Sequence, residues 1–233
     1  MIRIFASGLL SLALLTGPAR AAGHFATVPH TPDPAAYYLF YLHGTFLEKH
    51  PDGTPHPRSG TPYDWSGIVK SFVERGFTVI SEVRSSGTRS RNYADKIKDQ
   101  IAKLLAGGVA PQRITVAGHS KGGSIVLHTA AIAQNPELNF INLAGCGDRG
   151  RFARNFRRFV DLAGARVTGR LMSIYDRDDR IAGSCAAIRD AGAKVKFSEK
   201  VLTTGEGHHL FYRPARIWMD EVEKFAKRRN RTG

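Results

Sequence analysis

Cysteine is nearly absent from this chain: 233 residues carry only Cys146 and Cys185. Two cysteines with no histidine pattern beside them do not make a zinc site. Acidic residues are also in deficit, 20 against 34 lysines and arginines, for a net charge of +14. Such a surface attracts anionic partners only in a general way, and no nucleic-acid-binding motif accompanies it, so no nucleic-acid partner is expected. Long apolar runs are missing beyond the first fifteen residues, which excludes a membrane span in the body of the chain.

The N-terminus has the form of a secretory leader. Arg3 supplies the positive charge, Ile4 to Leu15 is largely apolar, and Ala19-Arg20-Ala21 offers a small-x-small cleavage site. The run is short for a membrane anchor and ends in Gly17-Pro18. Residues 1–21 are therefore expected to be removed, leaving 22–233 as a single exported domain. Removing Arg3 and Arg20 with the leader lowers the net charge from +14 to +12. In an oxidising compartment the two cysteines predict one disulfide. Both closely follow predicted strands, which places them at the same edge of a parallel sheet.

Apolar patterning then alternates between strand and helix. Tyr37 to Leu42 (YYLFYL) reads as a strand buried on both faces. Further strands are predicted at 77–83, 114–117, 138–143, 171–175 and 194–202. Helices are predicted at 63–75, 93–106, 124–133, 148–165, 186–191 and 214–229, the last ending in a basic tail. Residues 22–34 read as an extended lead-in. Residues 46–62, with four prolines, form a loop long enough to suggest a functional one. The segment 148–165 is an arginine-rich amphipathic helix, either a solvated surface helix or a small cap over a site. This alternation predicts an α/β fold, a mainly parallel sheet with helices on both faces, with ligands at the carboxyl ends of the strands.

One stretch concentrates the chemistry. Arg113 to Ala133, RITVAGHSKGGSIVLHTAAIA, contains Gly118-His119-Ser120-Lys121-Gly122 between a strand and a helix. That is the context in which G-x-S-x-G marks a nucleophilic serine. The glycines permit a tight turn, and the helix start aims free N–H groups at any oxyanion formed there. A serine needs a base and an orienting acid. Among nine histidines, His208 in Gly205-Glu206-Gly207-His208-His209 is the chosen base, with His209 as the alternative. Asp179 in YDRDDRI (175–181) is the chosen acid, because Ile181 can anchor its loop; Asp178 and then Asp176 follow.

Taken together, YLHGT at 41–45, GHSKGG at 118–123, YDRDDRI at 175–181 and GEGHH at 205–209 resemble the α/β-hydrolase superfamily in a compact form with little or no lid. The resemblance runs from about Tyr37 to Phe225. The order serine, aspartate, histidine is also that family's. It implies an oxyanion hole made by the N–H of Lys121 and that of Thr45 or Phe46, with His43 bracing the turn. It further implies hydrolysis of a small acyl substrate, a carboxylic ester first, by an acyl-serine route that calls for no metal or organic cofactor. A thioesterase, lipase or peptidase would use the same groups. An exported binding protein on an inactive scaffold is the reading from another class. An Arg-His-Gly phosphatase is set aside because Leu42 precedes His43-Gly44. Two departures stand out: the leading strands are hard to see in 22–36, and Asp176 replaces the glycine common in the acid loop. Oligomeric state is not legible in the sequence.

Overall fold

The computed structural model describes residues 22–57 and 59–228. The expected leader, residues 1–21, lies outside them, as does the end of the basic tail. Seven strands form one sheet: β1 (His24–Phe25), β2 (Tyr37–Leu42), β3 (Phe77–Ile80), β4 (Ile114–His119), β5 (Asn139–Leu143), β6 (Gly169–Asp176) and β7 (Val195–Leu202). Their order is β1-β3-β2-β4-β5-β6-β7, and every neighbouring pair is parallel.

Seven helices cover the two faces: α1 (Thr45–Lys49), α2 (Trp65–Glu74), α3 (Ser90–Ala106), α4 (Lys121–Ala133), α5 (Gly150–Ala163), α6 (Ala186–Asp190) and α7 (Arg216–Ala226). The pleat sends alternate β2 residues to opposite sides. Tyr38, Phe40 and Leu42 meet α3, α4 and α5, while Leu39 and Tyr41 meet α2 and α7. β2 therefore has no polar face, which is why its sequence is a continuous apolar run. Burying a side chain such as Phe40 contributes about 1.5–3 kcal/mol. The two-residue β1 and the largely exposed β7 close the sheet at its edges.

Helix ends shift from the sequence reading by up to three residues, as at α3, which begins at Ser90 rather than 93, and three other differences bear on the site or the sheet. β1 lies inside the expected lead-in and pairs with β3. The proline-bearing loop begins with α1. β3 stops at Ile80, three residues early; Ser81 still donates its N–H to Phe25 O at 2.9 Å, while its hydroxyl donates to the carbonyl of Tyr41 at 2.7 Å. Residues 82–84 then turn beneath the strand ends, which places Arg84 under the site described below. The two cysteines do form a disulfide, Cys146–Cys185, with Cα atoms 5.4 Å apart. Among the described residues, no helix is long and apolar enough to cross a membrane.

Candidate active site

Ser120 sits between β4 and α4 with φ 56° and ψ −116°. A non-glycine residue in that region is strained by roughly 1–3 kcal/mol. The surrounding bonds hold it there: its N–H donates to Leu143 O at 2.9 Å, and its carbonyl accepts from Ser124 N at 3.1 Å. The glycines of the motif are explained by close approach. A Cβ on Gly118 would lie 2.4 Å from the backbone of Gly122, and one on Gly122 would lie 2.0 Å from Leu42 O. Neither position can carry a side chain while strand, turn and helix pack this closely.

His208 lies in a 3-10 turn, Gly207–Tyr212, that follows β7. Its Nδ1–H donates to Asp179 Oδ2 at 2.7 Å. The other carboxylate oxygen of Asp179 accepts from the N–H groups of Ile181 (2.8 Å) and Ala182 (3.0 Å). The Asp179 side chain has no accessible surface. Gly207 has φ +58°, and a Cβ there would press on Asp178 O at 3.1 Å, so the histidine turn can close on the acid loop only with glycine.

The three aspartates of that loop are sorted by their surroundings. Asp178 is exposed. Asp176 is buried, but its oxygens accept from Asp178 N, Thr204 N and Thr204 Oγ, so it ties the ends of β6 and β7 together. Against burial, which acts the other way, these donors hold its carboxyl below the usual carboxylate range. Asp179 is the one bonded to an imidazole. His209 points elsewhere, with its ring 4.7 Å from that of His56 and 4.9 Å from Tyr212.

Ser120 and His208 line one cavity of about 580 Å3, together with Thr45, Phe46, Lys121 and Arg151. Thr45 and Phe46 open α1, and Lys121 opens α4, so their N–H groups have no acceptor within their own helices. The N–H of Ser120 is taken by Leu143. Backbone N–H groups without a helical acceptor thus belong to residues that line the same cavity as the serine.

Beneath this cavity is a buried network in which the sequence pointed to His43 as a brace but not to Glu48 or Arg84. Glu48 of α1 accepts from Arg84 Nε at 3.1 Å and from Lys121 Nζ at 2.5 Å; the Arg84 and Glu48 side chains are each 1% exposed. Glu48 therefore clamps the 43–49 segment to the serine turn. Removing its carboxylate would leave Arg84 buried without a counter-charge, at a cost of about 3–5 kcal/mol. His43 Nδ1–H donates to Gly44 O at 2.9 Å, which leaves Nε2 to accept the Arg84 N–H at 2.8 Å. Burial, and then the Arg84 charge, push His43 down to about 3, so it is a neutral brace. Tyr63 adds a second prop: its hydroxyl accepts from Gly44 N at 3.3 Å and lies 3.2 Å from His119 Nδ1. Burial holds His119 neutral as well, well below the ordinary histidine range, with His208 and His209 adding to the effect. The signals for Glu48 and Arg84 in the sequence were faint: one acidic residue after HGTFL, and one arginine after a strand.

Solved structures similar to this chain share its fold at low identity. A lipase-esterase related protein from Clostridium acetobutylicum superposes with a TM-score of 0.57 at 16% identity, over 84% of this chain and 98% of that one. Carboxylesterase CesB of Bacillus subtilis gives 0.52 at 12%, over 87% and 86%. Dipeptidyl peptidase 4 of Porphyromonas gingivalis gives 0.52 at 15%, over 85% of this chain but 32% of that one. No protein-family model matches the sequence, and no curated protein matches it by sequence. The chain has the α/β-hydrolase fold.

Proposed function

We propose that this protein is a serine hydrolase that cleaves carboxylic esters through an acyl-enzyme. The observation that carries the reading is the His208–Asp179 bond of 2.7 Å at a cavity shared with Ser120 on its strained turn. Asp179 fixes the Nδ1–H tautomer, which leaves His208 Nε2 as the base. Ser120 Oγ gives its proton to Nε2 and attacks the carbonyl carbon. The N–H groups of Lys121 and of Thr45 or Phe46 hold the resulting oxyanion. Collapse breaks the bond to the alkoxy oxygen, which leaves as alcohol with the proton from Nε2. Water then gives a proton to the same nitrogen, attacks the acyl-serine and releases the acid, and the proton returns to Ser120.

The same groups would cleave a thioester or an amide, and the likeness to a peptidase as well as to esterases leaves the fold neutral between them. We further propose export after removal of residues 1–21, in keeping with the Cys146–Cys185 bridge. The test is turnover of matched short-chain oxygen esters, thioesters and anilides by wild type and Ser120→Ala. The ester should be turned over fastest, and the variant should lose roughly a thousandfold or more. A folded variant as active as wild type would remove Ser120 from the chemistry. No turnover by wild type would favour a binding protein.

A further inference from the structure

A second cavity, of about 300 Å3, adjoins the first. The two share Asn155 of α5. Their remaining walls follow the same two helices. Ser120, just before α4, and Ser124 on it line the first, and His128 and Ile132 of α4 line the second. On α5, Arg151 and Phe152 line the first, and Phe159 and Leu162 the second. Steps of three or four residues keep each series on one helix face. The result is one trough between α4 and α5, leading away from the serine. From Lys121, the first residue of α4, to His128 is seven residues, about 10 Å at 1.5 Å per residue.

The second cavity has a largely apolar floor and a cationic rim. The rings of His128 and Phe159 meet edge-on at 4.8 Å. Leu162 beside them is 64% exposed and adds apolar surface to the cavity wall. Burial, and then the charge of Arg91, hold His128 below the ordinary histidine range, so it adds no charge at neutral pH. Arg91, Arg158 and Arg166 stand at the edge. Among the described residues, none of the three has a carboxylate within ion-pair distance. No aspartate or glutamate lines either cavity. Arg166 donates to Leu162 O at 2.9 Å; guanidiniums without a carboxylate partner beside an apolar cavity complement an amphiphile whose charged end is negative.

We propose that the trough between α4 and α5 is the substrate subsite, and that it takes an apolar arm ending in an anionic group, roughly 10 Å from the scissile carbonyl. This rests on the ester-hydrolase reading for the location of the carbonyl. It defines the substrate class as an anionic amphiphilic ester. Arg154 and Arg157 lie on the same helix but line neither cavity, so they separate a built subsite from general attraction to a basic surface.

The probe is octyl phosphate, with octan-1-ol and inorganic phosphate as its two halves. Binding to the Ser120→Ala protein is measured by calorimetry at fixed ionic strength. Octyl phosphate should bind about tenfold more tightly than octan-1-ol, the combined effect of two partly exposed charge contacts. R91A/R158A should abolish that advantage, and R154A/R157A should keep it. Octyl phosphate should also compete with a neutral 4-nitrophenyl ester for the wild-type enzyme. Equal losses in the two double variants, binding of inorganic phosphate as tight as that of octyl phosphate, or inhibition that is not competitive would each overturn the proposal. If wild type turns over no ester, the failure belongs to the function reading, and the calorimetry still decides the trough.

Discussion

The disulfide allows a stability prediction with a worked magnitude. Cys146 follows β5, and Cys185 precedes α6; they are 39 residues apart and both fully buried. Opening the bridge frees a loop of that length in the unfolded chain. The chain-entropy relation gives ~4 kcal/mol for it at 25 °C. For a domain of this size that corresponds to a fall of about 8–16 °C in melting temperature. The catalytic loop should nonetheless persist at room temperature, because Gly183 N still donates to Cys146 O and Asp148 N to Ile181 O, both at 2.9 Å. The assay is calorimetric melting of the oxidised protein, the reduced protein and C146A/C185A, with ester turnover at 25 °C measured on each. The expected result is a large loss in melting temperature with turnover kept within a few-fold. A shift of less than about 3 °C in both reduced and substituted protein would refute the entropic reasoning.

Two further outcomes follow from the site. Asp179→Asn should lower kcat by about 10,000-fold, the effect of imposing the wrong imidazole tautomer; Asp178→Asn should leave turnover near wild type; and Asp176→Asn should cost about 2 kcal/mol of stability, by weakening its bonds to Thr204 and Asp178. Esterase rates and melting curves on the three variants separate these effects, and equal loss of kcat in all three would contradict the sorting of the loop. Acid should destabilise the fold early. His43 and His119 are held neutral with folded values far below the unfolded value near 6.5, so below that pH the unfolded chain gains protons that the native state does not. Stability is full above about 6.5 and falls as pH drops toward 3, by up to ~1.4 kcal/mol per pH unit for each group. Asp176, with its depressed value, adds to the loss in the same direction only below the unfolded carboxylate value. Urea denaturation at pH 7, 6 and 5 reads this directly; a flat or rising stability over that range would contradict it.

How much was legible in the sequence depends on what each residue's neighbours contribute. Tyr37–Leu42 could be read to the residue, because a strand buried on both faces needs an apolar residue at every position. The serine turn was legible because backbone crowding admits only glycine at 118 and 122. β1 was not: two exposed residues, His24 and Phe25, owe their strand state wholly to pairing with Val79 and Ile80. α1 was hidden for a similar reason. Five residues among prolines have little helical signal of their own, and the segment is fixed by Glu48 reaching Arg84 and Lys121. The acid loop placed three aspartates within four residues, and only burial and hydrogen-bond partners tell them apart. α5 was legible as a basic amphipathic helix, but its facing α4 across a trough is a tertiary fact that no periodicity encodes.

The central claim is that Ser120 is a nucleophile activated by His208. It is tested most directly by labelling the folded protein with a fluorophosphonate and mapping the adduct by peptide mass spectrometry. The account predicts one adduct, on Ser120, absent in Ser120→Ala and formed far more slowly in His208→Ala. A folded wild-type protein that takes no label, or takes it at another serine, would contradict the account.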